Sequence, residues 1–121
     1  MTIDFSRDKP IYSQLVDRIC GDILKGKLEL GDRLPSVREY AIETGVNVNT
    51  VQRVYKELEA MNITETKRGQ GTFITTNEER IVLLREDMKN QLAENFLTSI
   101  EALGFSKEEM LVVLTKNREV K

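Results

Sequence analysis

Two short helical patterns, separated only by Val46 and Asn47, constrain this chain more than any other feature. Ser36 and Glu39 have the spacing of a capping box, which begins a helix, and Gly45 suits the left-handed turn that ends it. Asn47 is a good N-cap for a second helix. Two helices joined by so short a glycine-containing turn are typical of a helix-turn-helix, here at about residues 36–61.

The second of these helices has an unusual polar face. Val51, Tyr55 and Leu58 recur at helical spacing and predict its buried side. The opposite side carries Asn and Thr, which propagate a helix poorly. A solvated surface is the ordinary explanation, but a bidentate contact to a base contributes about 1–3 kcal/mol of discrimination, more than the propensity lost. We therefore predict DNA contacts by Asn49, Thr50, Gln52, Arg53 and Lys56.

Both flanks of this motif offer further candidates for DNA contact. Ser36 caps the first helix, whose N-terminal amides also suit a phosphate, and Arg38 lies on the same turn. After the second helix, a pattern rich in Thr and Ile predicts a hairpin at about residues 63–75, which would form a wing. Its basic, glycine-rich tip would make an ordinary turn, but it also suits a minor groove. The tip comprises Lys67, Arg68, Gly69, Gln70 and Gly71.

Another helix precedes the helix-turn-helix. Pro10 suits its first position, with Asp8 or Lys9 as the cap, and Gly26 suits its end. Cys20, the one cysteine, is predicted to be a buried thiol. The apolar row of this helix recurs every four residues and comprises Ile11, Leu15, Ile19 and Ile23. The segment that follows is predicted to be a loop that could hold a short strand.

The remaining residues, 77–121, have the pattern of two amphipathic helices. One is predicted from Glu78 to about Leu103, and the other extends to about Arg118 after a second capping box. Two helices cannot bury so wide an apolar stripe by themselves, so we predict a two-helix dimerisation region. The predicted dimer contacts are Ile81, Leu84, Met88, Leu92, Phe96, Ile100, Leu103, Met110 and Leu114.

Composition excludes several classes of function. The 121 residues include no histidine, so the commonest general base and metal ligand are missing, and we predict neither enzyme activity nor a cofactor. No apolar run reaches the roughly 18–20 residues that span a bilayer, so no membrane partner is predicted. A single cysteine fits a reducing cytoplasm. The net charge of −2 argues against indiscriminate nucleic-acid binding, so DNA recognition depends on where the cations lie.

These motifs resemble the N-terminal winged helix-turn-helix of GntR-family transcription regulators. The resemblance covers roughly residues 9–75 and is carried by KPIYSQLVDRI, GKLELGDRLPSVREYA, GVNVNTVQRVYKELE and KRGQGTFI. The short two-helix tail is similar to that of the YtrA subfamily. The resemblance implies a mainly α fold with a small β-hairpin (α+β). A winged helix-turn-helix at residues 8–76 would be followed by two C-terminal helices.

The resemblance also implies a function. Members of this family are dimeric, cytoplasmic bacterial regulators, usually repressors, that bind double-stranded operator DNA. Of the positions that it marks as DNA contacts, Val48 cannot hydrogen-bond a base. The marked positions in this sequence are Arg33, Arg38, Asn47, Val48, Asn49, Thr50, Gln52, Arg53, Arg68, Gly69 and Gln70.

Two other functions remain open from the sequence. The polar helix face could dock on an acidic protein, which would make the chain a winged-helix adaptor. A small-molecule effector could bind between the C-terminal helices and regulate DNA affinity. A steep fall of DNA affinity with salt would argue against the adaptor, because it reports counterions released from phosphates. A ligand-dependent change in melting temperature and operator affinity would support the effector.

Overall fold

The computed structural model describes residue 5 and residues 9–117. Within them, helices and one hairpin follow the order α1 (Ile11–Leu24), α2 (Val37–Thr44), α3 (Val48–Ala60), β1 (Thr64–Lys67), β2 (Gly71–Ile74), α4 (Glu78–Ala102) and α5 (Lys107–Asn117). This confirms the predicted fold class. The chain divides into two compact units between Leu84 and Arg85, inside α4. We refer to them as the N-terminal unit and the C-terminal unit.

Helix α1 differs in two respects from the sequence prediction. Pro10 is its N-cap rather than its first helical residue, while the predicted cap Asp8 lies outside the described residues. Ile11 is 44% exposed, so its place in the buried row was wrong. A strict four-residue spacing drifts by about 40° per step around a helix of 3.6 residues per turn. Ile11 therefore lies outside the buried side of α1, which comprises Leu15, Val16, Ile19, Cys20 and Ile23.

The helix-turn-helix has the predicted caps. The Ser36 hydroxyl oxygen accepts a hydrogen bond from the Glu39 amide at 3.1 Å, and the Ser36 amide donates to Glu39 Oε1 at 2.9 Å. Gly45 ends α2 with a φ of 72°. The Asn49 amide donates to Asn47 Oδ1 at 2.7 Å, which begins α3. These local hydrogen bonds determine where both helices begin and how sharply the chain turns between them.

Helix α3 forms the centre of the N-terminal unit, because it packs on α1, α2 and β1. Its inward side is almost completely buried, including Val51 and Leu58. The Tyr55 hydroxyl donates a hydrogen bond of 2.7 Å to the carbonyl oxygen of Pro35, just before α2. The rings of Tyr40 and Tyr55 lie 6.0 Å apart between their centroids. These contacts fix α3 against the start of α2.

The wing is an antiparallel hairpin in which Thr64 pairs with Ile74 and Lys67 with Gly71. The loop before α2 adds a single bridge on the other side of β2, between Arg33 and Phe73. The short strand that the sequence allowed in this loop is therefore one bridge long. Since β2 is held on both sides, the wing has a fixed base.

The C-terminal unit contains the remainder of α4 and helix α5. A second capping box begins α5, with the Glu109 amide donating to the Ser106 hydroxyl oxygen at 3.1 Å and the Ser106 amide donating to Glu109 Oε2 at 2.8 Å. The predicted helix end near Arg118 lies outside the described residues. Among the helices that the structure describes, none combines the length and the apolar character that a membrane span requires.

Candidate nucleic-acid interface

The polar side of α3 forms an exposed surface opposite its buried side. Asn49, Gln52, Arg53 and Lys56 are all exposed, and Thr50 is half-buried. Residues three and four positions apart lie next to each other on a helix, so these side chains form one continuous strip. The structure therefore brings the five predicted contacts of this helix together.

Arg53 has a partner that the sequence did not indicate. Its Cζ lies 3.7 Å from the centroid of the Tyr12 ring on α1. The sequence placed Arg53 on the polar face of α3, but the register of α1 against α3 is a tertiary property. The only available signal was an aromatic residue beside the apolar row of α1.

The two N-cap residues among the candidates are already engaged in capping. Asn47 Oδ1 accepts the Asn49 amide, and the hydrogen bonds of Ser36 serve the start of α2. Hydrogen bonds from the backbone and the side chain of Ser36 lower the pKa of Glu39, and the charge of Arg33 adds a smaller contribution. An anionic Glu39 therefore occupies the helix end that was expected to suit a phosphate. The exposed Arg38 remains the candidate on that turn.

Arg33 lies directly on the backbone of the wing. A Cβ atom added at Gly71 would be 2.7 Å from Nε of Arg33, closer than carbon and nitrogen atoms approach without a bond. Gly71 also has a φ of 128°, which side-chain-bearing residues rarely adopt. Gly71 is thus more than a turn residue, because it provides the space in which the Arg33 guanidinium lies.

The tip of the wing is exposed and tightly turned. Lys67, Arg68, Gly69 and Gln70 are all exposed, and the Gln70 amide donates to the Lys67 carbonyl oxygen at 2.8 Å. Lys67 Nζ lies 4.9 Å from the centroid of the Phe73 ring, its diagonal neighbour on β2. The structure therefore places a cation at the tip of the wing on an aromatic ring at its base.

The candidate cations keep their charge available to an anionic partner. Among the described residues, salt bridges join Lys9 to Asp17, Lys25 to Asp22 and Lys89 to Glu86, and none involves a candidate. A chain of net charge −2 can thus still offer a set of cations that carry no salt bridge among the described residues. These cations are Arg33, Arg38, Arg53, Lys56, Lys67 and Arg68.

The predicted dimer contacts do not share one environment. They divide into exposed residues (Leu92, Phe96, Leu103 and Leu114), half-buried residues (Ile81, Met88 and Met110) and buried residues (Leu84 and Ile100). Leu84 and Ile100 are only 2% and 4% exposed within the single chain, so they offer almost no surface to a second one. An apolar stripe in a sequence does not distinguish side chains that pack within a chain from those left outside.

Comparison with known proteins identifies relatives over nearly the whole chain. The bacterial regulatory proteins of the gntR family match residues 11–74. The HTH-type transcriptional regulator YhcF of Bacillus subtilis is 46% identical over 111 residues, which are 92% of each chain. The HTH-type transcriptional repressor YtrA of the same organism is 38% identical over 105 residues, covering 82% of this chain and 81% of that one.

A solved structure agrees with these relatives. The GntR family transcriptional regulator from Listeria monocytogenes has a TM-score of 0.83 at 43% identity and covers 93% of this chain and 98% of that one. The family match begins at the first residue of α1 and ends at the last residue of β2, so it spans the helix-turn-helix and its wing. The resemblance inferred from the sequence is confirmed, including the similarity to YtrA. The chain belongs to the gntR family of bacterial regulatory proteins and is a DNA-binding transcriptional regulator.

Proposed function

We propose that the chain is a homodimeric repressor that binds a palindromic operator in the bacterial cytoplasm. The observation that carries this proposal is the exposed apolar surface of the C-terminal unit. Leu92 and Leu103 are 69% and 72% exposed in the single chain. Large apolar side chains in such numbers are typical of an interface with another chain.

A second copy of this chain is the partner that fits this surface best. A two-fold dimer brings the same patch of both chains together, so an apolar patch covers its own counterpart. The second helix of a helix-turn-helix is its recognition helix, which here is α3. In a dimer, the two recognition helices then meet half-sites one DNA turn apart or a multiple of it. The proposed contacts are the exposed Leu92, Phe96, Leu103 and Leu114 and the half-buried Ile81, Met88 and Met110.

Sequence readout is assigned to α3. Asn49 and Gln52 are exposed amides, which suit the adenine edge, and Lys56 extends the strip towards the backbone phosphates. Arg38 and the wing tip are assigned to phosphates and the minor groove, where contacts fix position rather than sequence. The proposed contacts outside α3 are Arg33, Arg38, Lys67, Arg68, Gly69, Gln70 and Gly71, while Ser36 and Asn47 are proposed to act through the caps that begin α2 and α3.

The direction of regulation is proposed by analogy. YtrA of Bacillus subtilis, 38% identical to this chain, is named a transcriptional repressor. A dimer seated on two adjacent major grooves blocks the access of polymerase to a promoter that overlaps its site, and this requires no further domain. Repression is therefore the simplest activity of a winged helix with a short dimerisation region.

The test is a gel-shift titration on DNA from upstream of the chain's own gene, with a scrambled duplex as competitor. We expect a discrete complex of two chains per site that survives the competitor and weakens steeply with salt. Gln52→Ala should weaken operator binding by about 1–3 kcal/mol, whereas Gln91→Ala on α4 should leave it unchanged. A complex that scrambled DNA removes equally well, or that contains one chain, contradicts the proposal.

A further inference from the structure

Two cations of the proposed DNA surface lie on aromatic rings of neighbouring strands or helices. On the wing, Lys67 Nζ is 4.9 Å from the centroid of Phe73. On α3, Arg53 Cζ is 3.7 Å from the centroid of Tyr12, which belongs to α1. The second contact is the closer one. It also links the recognition helix to a helix outside the helix-turn-helix.

The short distance determines how the Arg53 guanidinium is oriented. Carbon atoms in van der Waals contact are about 3.5–4.0 Å apart, so the central carbon of the guanidinium itself touches the ring. If an N–H group pointed at the ring, Cζ would lie farther away. Arg53 therefore presents a flat face to Tyr12, and its five N–H donors, which lie in the guanidinium plane, take no part in this contact.

The surroundings of the pair keep these donors available. No salt bridge among the described residues involves Arg53. Tyr12 is half-buried on α1, and α1 packs against α3, so the ring has a fixed place. Arg53 is exposed on the same strip as Asn49 and Gln52.

We propose that Tyr12 is a positioning residue for DNA binding, which acts by holding Arg53 with its donors directed at the duplex. An unrestrained arginine loses rotamer freedom when it binds DNA, and this loss weakens binding. Stacking on Tyr12 restricts Arg53 when the protein folds, so less freedom is lost on binding. The inference rests on the proposed role of the α3 strip in DNA binding.

The first test detects the stack in the free protein. The ring current of Tyr12 should shift the Nε–H resonance of Arg53 upfield in a proton–nitrogen NMR spectrum. Tyr12→Phe should keep this shift, and Tyr12→Leu should abolish it. A resonance of Arg53 that is the same in all three proteins overturns the inference.

The second test measures the effect on DNA by a double-mutant cycle. The probe is a duplex that the wild-type protein selects from random sequence. Tyr12→Leu should weaken binding roughly two- to tenfold, as expected when DNA binding must order one rotamer-rich side chain, and Tyr12→Phe should change it less than about twofold. In an Arg53→Ala background, Tyr12→Leu should cause no further loss.

Controls separate this effect from a general loss of structure. The melting temperature of each variant is measured in parallel. A variant whose melting temperature equals that of the wild type reports on DNA binding alone. If Tyr12→Leu weakens binding equally with and without Arg53, or strengthens it, Tyr12 does not position Arg53. If the wild type selects no preferred sequence, the operator proposal fails, but the cycle can still be measured on any duplex that it binds.

Discussion

The recognition helix of the N-terminal unit buries most of its apolar side chains, whereas the helices of the C-terminal unit leave many of theirs exposed. In the N-terminal unit the recognition helix has Val54 and Leu58 at 0% exposure, and Val48 in its first turn, at 44%, is its one exposed large apolar side chain. In the C-terminal unit Leu92, Leu103 and Leu111 are at least 60% exposed. The buried side of α3 is therefore covered within one chain. The C-terminal unit has an apolar surface that a second chain can complete.

The difference follows from how many elements surround each helix. Helix α3 is contacted by α1, α2 and β1, so its apolar side is covered from several directions. The C-terminal unit has only the remainder of α4 and α5, and two helices can cover only one side of each other. The proposed roles of the two units, in DNA recognition and in dimerisation, thus differ in which residues remain exposed once each unit has packed.

The largest expected effect is the loss of a core side chain in the N-terminal unit. Leu58→Ala should lower the free energy of unfolding by about 2–5 kcal/mol, because it leaves a cavity at a completely buried position. Urea denaturation monitored by circular dichroism measures it, and the loss should be the same at every protein concentration.

Leu111→Ala is the matched comparison in the C-terminal unit. Its side chain is 60% exposed, so in a single chain the same truncation removes few contacts. If a second chain covers it, the loss of stability should appear only at concentrations at which the dimer forms. A loss independent of concentration would show that Leu111 packs within one chain and would break the comparison.

The next largest effect is expected from a charge at the proposed interface. Leu92→Arg should produce monomers and weaken operator binding by about 100-fold or more, because the two recognition helices no longer act together. Gln91→Arg places the same charge at the neighbouring exposed position and should retain the dimer. Analytical ultracentrifugation gives the mass of both variants, and a dimeric Leu92→Arg variant would contradict the proposed interface.

Local features of the fold could be predicted from the sequence because they depend on neighbouring residues. The caps by Ser36 and Asn47 and the end of α2 at Gly45 follow from residues within one turn of each other, and the structure confirms them. The hairpin of the wing follows equally from local alternation and glycine placement.

Tertiary features could not be predicted in this way. The stacking of Arg53 on Tyr12 depends on the register of α1 against α3, and the position of Arg33 depends on a bridge to β2. Periodicity also could not show that Ile100 is buried within the chain while Leu103 is exposed. A single sequence reports which residues are apolar, but the packing partners of each are set by the whole fold.

A smaller effect, confined to the N-terminal unit, is expected at the base of the wing. Gly71→Ala combines a strained φ of 128° with a clash against the Arg33 guanidinium and should destabilise the wing by roughly 1–3 kcal/mol. Gly69→Ala is the control, because its φ is also positive but the space around it is open. DNA affinity should fall more for Gly71→Ala, with the dimer mass unchanged in both. Equal losses would show that the contact with Arg33 contributes nothing.

The smallest predicted effect is a pH dependence that belongs to the N-terminal unit. Burial raises the pKa of the Cys20 thiol to about 11 from an ordinary value of 9.0, with Asp17 adding to the shift and Arg80 opposing it. The unfolded thiol ionises first as pH rises, so this contribution to stability is complete below pH 9 and is lost between about pH 9 and 11.

We therefore expect the free energy of unfolding of the N-terminal unit to fall by about 1 kcal/mol between pH 8 and pH 10. Urea denaturation at several pH values measures this slope, and Cys20→Ala should reduce it whatever its effect on absolute stability. Burial also raises the pKa of Tyr40 and Tyr55, whose contribution should persist in Cys20→Ala and increase at still higher pH. If the dimer dissociates at a pH at which the N-terminal unit is still folded, then high pH destabilises the C-terminal surface before it destabilises the region around Cys20.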